Sequence, residues 1–267
     1  MKRQTRRWML LGLVTVAWTL SGVVGWAGEE EGAQPHFVYV IQEDVKPEQM
    51  DSYMKTRAAD AKLSAQYRFE FPFFTFMQDF RVTTCGIFGA FAQLDGFPQK
   101  MEAWEEKTGG QAEKLNQQIA KCVDSYSTSI VVFRPDLSYW PKESAFQLDF
   151  SQPFYQMRVK YYIKPEKYEE AQAVAKKIKE LNEKKQSPMG YWMYESIVGQ
   201  DGPMFVAAIG AKDKAAFVAM DKQGQENPDP EMEKVFSDNI HLLRKIETEE
   251  GTFIPEASYV PAGTFGQ

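Results

Sequence analysis

A short phrase occurs twice in this chain at an almost constant interval. Lys46-Pro47-Glu48 returns 118 residues later as Lys164-Pro165-Glu166. The segment Phe133-Arg134-Pro135-Asp136-Leu137-Ser138-Tyr139-Trp140-Pro141 returns in outline 120 residues later as Phe253-Ile254-Pro255-Glu256-Ala257-Ser258-Tyr259-Val260-Pro261. Markers kept in register at both ends of two equal blocks restrict the chain to a structural unit present twice. The first block covers 36–146 and the second 147–267, with the junction between Pro141 and Pro153.

Each block reads as strand, helix, strand, strand, helix, strand. The opening strands, Phe37–Val45 and Tyr155–Ile163, both run into Lys-Pro-Glu. Proline suits the first helical position because its missing N–H would have no partner there. Met50, Tyr53, Met54, Ala58, Ala61 and Ala65 fall at helical spacing in the first block, as do Tyr168, Ala171, Ala175, Ile178 and Asn182 in the second. Two strand pairs follow, Phe73–Phe80 with Thr84–Leu94 and Tyr191–Ser196 with Met204–Gly210, the latter joined by the turn Gly199-Gln200-Asp201-Gly202-Pro203. Asp95 and Asp213 are expected to cap the second helices, and Gly109-Gly110 to interrupt one of them. The closing strands lie near Ser127–Phe133 and Arg244–Phe253.

That order is the split β-α-β unit of ferredoxin-like folds, whose sheet is covered by helices on one face and bare on the other. Two such units bury both bare faces by packing them together. The expected class is therefore α+β, two fused ferredoxin-like (βαββαβ) repeats forming an intramolecular α+β barrel. With its strand–Lys-Pro-Glu–helix opening, the chain resembles the dimeric α+β barrel superfamily in tandem form, and within it the antibiotic-biosynthesis-monooxygenase and NIPSNAP-type domains. The resemblance covers residues 36–261 and rests on pattern, so it speaks to fold more than to function. It implies a barrel in which cofactor-free members oxidise polycyclic or phenolic compounds.

Ahead of the repeat, Lys2, Arg3, Arg6 and Arg7 precede an apolar run, Trp8–Val24, and then Gly25-Trp26-Ala27. This is the layout of a signal peptide over 1–27, so the protein is expected to be exported, to the periplasm or outside the cell. The alternative is an uncleaved anchor, for which 17 apolar residues reach only the short end of what spans a bilayer. Thr5-Arg6-Arg7-Trp8-Met9-Leu10 also resembles the twin-arginine pattern, so either export route fits. Cleavage leaves 27 basic against 37 acidic side chains, a net charge of −10, and an acidic tail over 28–35 that is expected to be disordered.

An acidic chain lacks the basic footprint that phosphate binding requires, which argues against nucleic acid; after cleavage no stable membrane insertion is expected. The 43% hydrophobic and 25% charged content is that of a globular protein. No Ser-His-Asp or Cys-His arrangement, phosphate loop or dinucleotide fingerprint is visible. Neither histidine has carboxylate neighbours at metal-ligand spacing, so no metal and no cofactor is expected. Within the resembling superfamily, haem-binding members carry a proximal histidine on a helix of the second repeat. His241 lies on a helix expected over about 231–243, nearly opposite a stripe of Met232, Val235, Phe236, Asn239, Ile240 and Leu243, and the matching position in the first repeat is Lys121. A solvated helix residue is the reading that follows. His36 reads as a loop residue.

Cys85 and Cys122 come close in this topology, yet strand parity sets them on opposite sheet faces, so two free thiols compete with a disulfide. The aromatic residues Phe73, Phe74, Phe76, Tyr191, Trp192 and Tyr194 either fill the space between the sheets or line a cavity. Strand parity is most informative in the opening strands. Met157, Val159, Tyr161 and Ile163, with Tyr39, Ile41, Glu43 and Val45, make the helix-facing set. Arg158, Lys160 and Tyr162 then face the barrel interior, with Val40, Gln42 and Asp44 opposite. Cations turned into an apolar interior must be paired, hydrated or given an anion. Salt bridges to Asp44 or Glu195, or a one-residue shift of the strand, would satisfy them structurally. The functional reading makes Arg158, Lys160 and Gln42 a ligand-binding set, with Trp192 and Tyr194 packing on the rings of an aromatic or phenolic small molecule. The sequence thus leads to an exported small-molecule-binding protein, with a cofactor-independent oxygenase as its catalytic form. A non-catalytic interaction module with a filled barrel stands as the alternative, and the oligomeric state is left open.

Overall fold

The computed structural model describes residues 36–141, 149–261 and 264; the leader read over 1–27 and the tail over 28–35 lie outside the described residues. The chain runs β1 (Phe37–Val45), α1 (Met50–Tyr67), β2 (Phe73–Gln78), β3 (Arg81–Phe88), α2 (Phe97–Lys107), α3 (Gln111–Cys122) and β4 (Val123–Phe133). The same order then returns as β5 (Tyr155–Ile163), α4 (Tyr168–Lys185), β6 (Trp192–Val198), β7 (Met204–Ala211), α5 (Lys214–Glu226), α6 (Pro230–Asn239) and β8 (Leu243–Phe253). The eight strands close into one antiparallel barrel, ordered β1-β3-β2-β8-β5-β7-β6-β4. The fold is α+β, two ferredoxin-like units fused into an intramolecular barrel.

The opening strands keep the limits expected of them. Pro47 and Pro165 open one-turn 3-10 segments that lead into α1 and α4. Alternation along each strand then divides the molecule into an outer layer under the helices and an inner layer inside the barrel. Outside, Val45, Val82, Ile119 and Cys122 pack around Tyr53 of α1, and Ile163, Phe205, Ala207 and Leu242 pack against Ala171 and Ala175 of α4. Glu43 belongs to the outer face yet is buried. Its carboxylate accepts the Tyr53 hydroxyl at 2.5 Å and pairs with Arg57, which also donates to the Tyr53 oxygen at 2.9 Å. The residues 118 positions later are Tyr161, Ala171 and Ala175, so the second unit fills the same space with apolar contacts.

Some local expectations hold, among them the Asp213 cap, the Gly109-Gly110 interruption, an exposed His241 and two free thiols, and others are corrected. Each second helix is two helices: α2 and α3 are separated by Gly109 and Gly110, both at positive φ, and α5 and α6 by Asn227–Asp229. Asp213 caps α5 by accepting from the Ala216 amide at 2.8 Å, but Asp95 does not cap α2: Gly96 takes that N-cap position, and Asp95 instead closes the 3-10 turn before it, its amide donating to the Ala92 carbonyl. The third strand stops at Phe88, and Phe91–Leu94 form a 3-10 turn. α6 ends at Asn239, and the buried residues of this stretch are Val235 and Leu242, whereas Phe236 and Ile240 are exposed. His241 is exposed, with Nδ1 2.9 Å from the Asp238 carbonyl oxygen, so it offers no axial ligand to the barrel interior. Cys85 and Cys122 are free, Cys85 packing with the inner phenylalanines and Cys122 in the outer layer; Cys85 is only half-buried.

Two seams join the units. The β4–β6 seam has four paired positions, from Ile130↔Val198 to Phe133↔Tyr194. It is clamped by Arg134, which donates to Asp136 at 2.8 and 2.7 Å and pairs with Glu195, itself an acceptor for the Tyr168 hydroxyl at 2.5 Å. The corresponding positions at the β2–β8 seam are the apolar Ile254, Met77 and Met50. The turn after β6 completes the first seam. Gly199 has φ +80°, and a Cβ there would stand 2.3 Å from the Thr128 carbonyl oxygen. Gly199→Ala should therefore cost about 2 kcal/mol of unfolding free energy in urea titration, since both the left-handed backbone and the close approach exclude a side chain. An unchanged midpoint would show that the turn can move away from β4.

Candidate functional site

The inner layer is built by alternate residues of all eight strands. β5 turns Arg158, Lys160 and Tyr162 inward, and β8 turns Glu247, Glu249, Gly251 and Phe253. Opposite them lie Val40 and Gln42 of β1, Phe74 and Phe76 of β2, Cys85 of β3, and Trp192 and Tyr194 of β6.

Glu249 is the hub. Its Oε1 accepts from Lys160 Nζ at 2.5 Å, and its Oε2 accepts from Gln42 Nε2 at 3.2 Å. Arg158 Nη2 stands 3.8 Å from the same Oε2, within ion-pair range but too far for a hydrogen bond. Arg158 Nε is buried and, among the described residues, has no hydrogen-bond partner. The guanidinium carbon lies 5.9 Å from the Phe76 ring centroid, a cation–π distance. Two cations therefore share one carboxylate, and the less well satisfied is Arg158. Glu247, the next inward acid, is taken up by the Tyr162 hydroxyl at 2.6 Å and by Lys245.

The electrostatics favour an anion. Burial pushes the Glu249 carboxyl up, but the Lys160 hydrogen bond, the charges of Arg158 and Lys160 and the Gln42 contact outweigh it and hold the group below its ordinary range. Burial pushes the Cys85 thiol up to about 11 against the pull of Arg158. Burial, and then the neighbouring Cys85, raise the Tyr194 phenol as well. Near neutral pH the surroundings of Glu249 thus present two cations, one carboxylate and two protonated donors, while Glu247, a second carboxylate further along β8, is held by Tyr162 and Lys245.

Around this centre the aromatic residues form two matched groups of different chemistry. Phe154 stacks on Phe253 at 4.7 Å, with Phe76 and Phe74 beside them. At the corresponding positions of the other unit His36 stacks on Phe133 at 4.8 Å, with Tyr194 5.6 Å from Phe133 and Trp192 further along β6. One group is all phenylalanine and the other carries N–H and O–H edges. Burial lowers the His36 pKa. Trp192 stacks on Trp140 at 4.3 Å over Gly190, where a Cβ would come 2.5 Å from the Trp140 ring.

Of the residues singled out from the sequence, Arg158, Lys160 and Gln42 meet at Glu249, and Tyr194 lies across the barrel near Cys85. Trp192 faces inward but packs on Trp140. Asp44 and Glu195 are not the partners of the cations: Asp44 accepts from Arg81 at 2.9 Å and Ser125 at 2.7 Å, and Glu195 is held by Arg134 and Tyr168. Sequence reasoning missed Glu249 and Gly251, although the alternation Glu247, Glu249, Gly251, Phe253 carried the signal, and it took Cys85 only as a thiol, not as part of the site. Gln42, Cys85, Arg158, Trp192 and Tyr194 remain half-buried, so the interior is not closed to solvent at these side chains. A groove of about 520 Å³ opens where β2 and β8 separate. Among the described residues no cluster of three or more His, Cys, Asp or Glu side chains is placed to hold a metal ion, and no helix is long and apolar enough to cross a membrane.

No family model and no curated protein matches the chain. Solved structures do. A protein provisionally named a monooxygenase from Lactobacillus acidophilus NCFM superposes with TM-score 0.53 at 10% identity, covering 85% of this chain and 97% of that one. An anthrone oxidase-like protein gives TM-score 0.54 at 10% identity, covering 86% and 92%. A mutant chlorite dismutase from Candidatus Nitrospira defluvii gives 0.52 at 11% identity, covering 84% and 93%. At such identities the likeness is one of fold, the dimeric α+β barrel written in a single chain.

Proposed function

We propose that this is an exported small-molecule-binding protein whose barrel interior takes a small aromatic anion, a carboxylate or phenolate, against Arg158. The observation that carries the reading is a guanidinium whose buried Nε has no hydrogen-bond partner among the described residues and whose shared carboxylate is nearer to Lys160. A ligand oxyanion would supply the missing acceptor, and charge-assisted hydrogen bonds of this kind are the strong ones. Phe76 beneath the guanidinium and Tyr194 across the barrel offer faces for a ring, and Cys85 is placed at the same level.

Cofactor-independent oxygenase chemistry is the catalytic form of this reading, favoured by the names of the structural neighbours. Arg158 would stabilise the anion of a phenolic substrate, which oxygen attacks directly. Glu249, held ionised by two cations, is a weak proton acceptor, so ionisation would come from stabilising the product anion rather than from a strong protein base. Oxygen uptake with anthrone as substrate distinguishes catalysis from binding alone. The alternative, a filled interaction module, draws on the Lys160–Glu249 bond and the all-phenylalanine group.

The binding reading is tested by thermal shift with benzoate, salicylate and 1-naphthoate. The parent should be stabilised by at least one of them, and both Arg158→Met and the double variant Arg158→Met/Lys160→Met should lose that response. Arg158 makes no hydrogen bond to Glu249, so its single replacement should keep a folded protein, and stabilisation retained in Arg158→Met would reject this site.

A further inference from the structure

We infer that the Tyr194 hydroxyl donates a hydrogen bond to the end of the ligand remote from Arg158, so that the site selects aromatic anions carrying a second, acceptor oxygen opposite the anionic group. The anion at Arg158 rests on the reading above; the second contact rests on where the two units place Tyr194.

The strand order repeats after four of the eight strands, so half a turn about the barrel axis carries β1 onto β5 and β2 onto β6. Equivalent inward residues of the two units therefore stand on opposite walls at one level. Arg158 faces Val40 in this way, and Phe76, paired with Phe253, faces Tyr194, paired with Phe133. The two walls differ in chemistry. One carries a guanidinium over a bare ring; the other carries an aliphatic side chain and a ring that ends in a hydroxyl.

That hydroxyl is unused. Two tyrosines of the described strands face inward, and Tyr162 donates to Glu247 at 2.6 Å, whereas Tyr194 has no hydrogen-bond partner among the described residues. The Tyr194 ring is held by Phe133 and by the cluster of Tyr162, Met204 and Val206, which leave its oxygen without an acceptor. Cys85 links the two ends of the site. The charge of Arg158 acts on its thiol, and the thiol in turn raises the Tyr194 phenol, so both head groups lie within electrostatic reach of one side chain. The phenol stays protonated near neutral pH and is available as a donor. An eight-stranded barrel has room for one small ligand, so a single molecule would meet both groups. The chemistry that satisfies them is a ring with a carboxylate or phenolate at one end and a carbonyl oxygen at the other.

The test uses 4-acetylbenzoate and 4-isopropylbenzoate, two acids of one shape that differ in a ketone oxygen. Titration calorimetry of the parent should give about tenfold tighter binding of 4-acetylbenzoate, because a site built to hydrogen-bond its ligand rejects the analogue lacking the partner atom. Tyr194→Phe keeps the ring against Phe133 and Val206 and should bind both acids as the parent binds 4-isopropylbenzoate. In the infrared, the ketone stretch of bound 4-acetylbenzoate should lie at lower wavenumber in the parent than in Tyr194→Phe, a shift that a packing role for the ring would not produce. Arg158→Met should lose both acids. Equal affinities in the parent, or a preference for 4-acetylbenzoate that survives in Tyr194→Phe, overturn the Tyr194 contact while leaving the anion site in place. So does a parent that binds benzoate but neither substituted acid. Binding of none of the three, or binding undiminished in Arg158→Met, rejects the anion site and the Tyr194 contact with it.

Discussion

Residues 28–146 and 150–267, produced as separate chains, will each fail to melt cooperatively as a monomer. Separation strips the β2–β8 and β4–β6 pairings from each half and leaves sheet edges that invite association. It also bares the inner faces, with Phe74 and Phe76 on one half and Tyr162, Met204 and Val206 on the other, all of them buried in the intact barrel. Burial of such side chains contributes about 1.5–3 kcal/mol each, comparable in sum to the whole stability of a small domain. The ionic clamp from Arg134 to Glu195 and Tyr168 crosses the cut as well. Denaturation followed with sedimentation velocity is the measurement. A homodimer of either half, closing a barrel on itself, agrees with the expectation, whereas two monomeric halves with cooperative transitions would contradict it.

Glu249→Gln is expected to destabilise the intact protein by about 3 kcal/mol at pH 7, because it strands Lys160 and Arg158 without their shared counter-charge. The pH dependence follows from the sign of the shift. The Glu249 carboxyl lies below its ordinary value in the folded protein, so its contribution is complete above the unfolded value of about 4.3 and is lost as pH falls through the folded value. The parent should therefore lose stability more steeply than Glu249→Gln below about pH 4, and the two denaturation curves should converge there. On the interior-site reading, 1-naphthoate should also raise the melting temperature of Glu249→Gln more than that of the parent, since the ligand restores the missing negative charge. Equal stability at pH 7 would mean that the two cations reach water without Glu249.

What the sequence determined by itself was the local arithmetic. Period-two alternation in Tyr155–Ile163 sends Arg158 and Lys160 to the face opposite Tyr161 and Ile163, and a single strand suffices to establish that, because successive side chains must point to opposite faces. The repeated Lys-Pro-Glu phrase placed both opening strands and the turns into the helices for the same reason, each being written within a few neighbouring residues. The tertiary structure decided everything that depends on register between distant strands. The partner of Lys160 is Glu249, 89 residues away, while Asp44 and Glu195 are taken by Arg81 and Ser125 and by Arg134 and Tyr168. Nothing local to Asp44, Glu195 or Glu249 distinguishes them as carboxylates; only barrel closure selects which one lies beside the cations. The unequal seams have the same origin. A turn of two residues after β2 and a longer one after β6 are visible in the chain, but that β4 and β6 share four paired positions and β2 and β8 only two is settled only when strands from the two units are brought side by side.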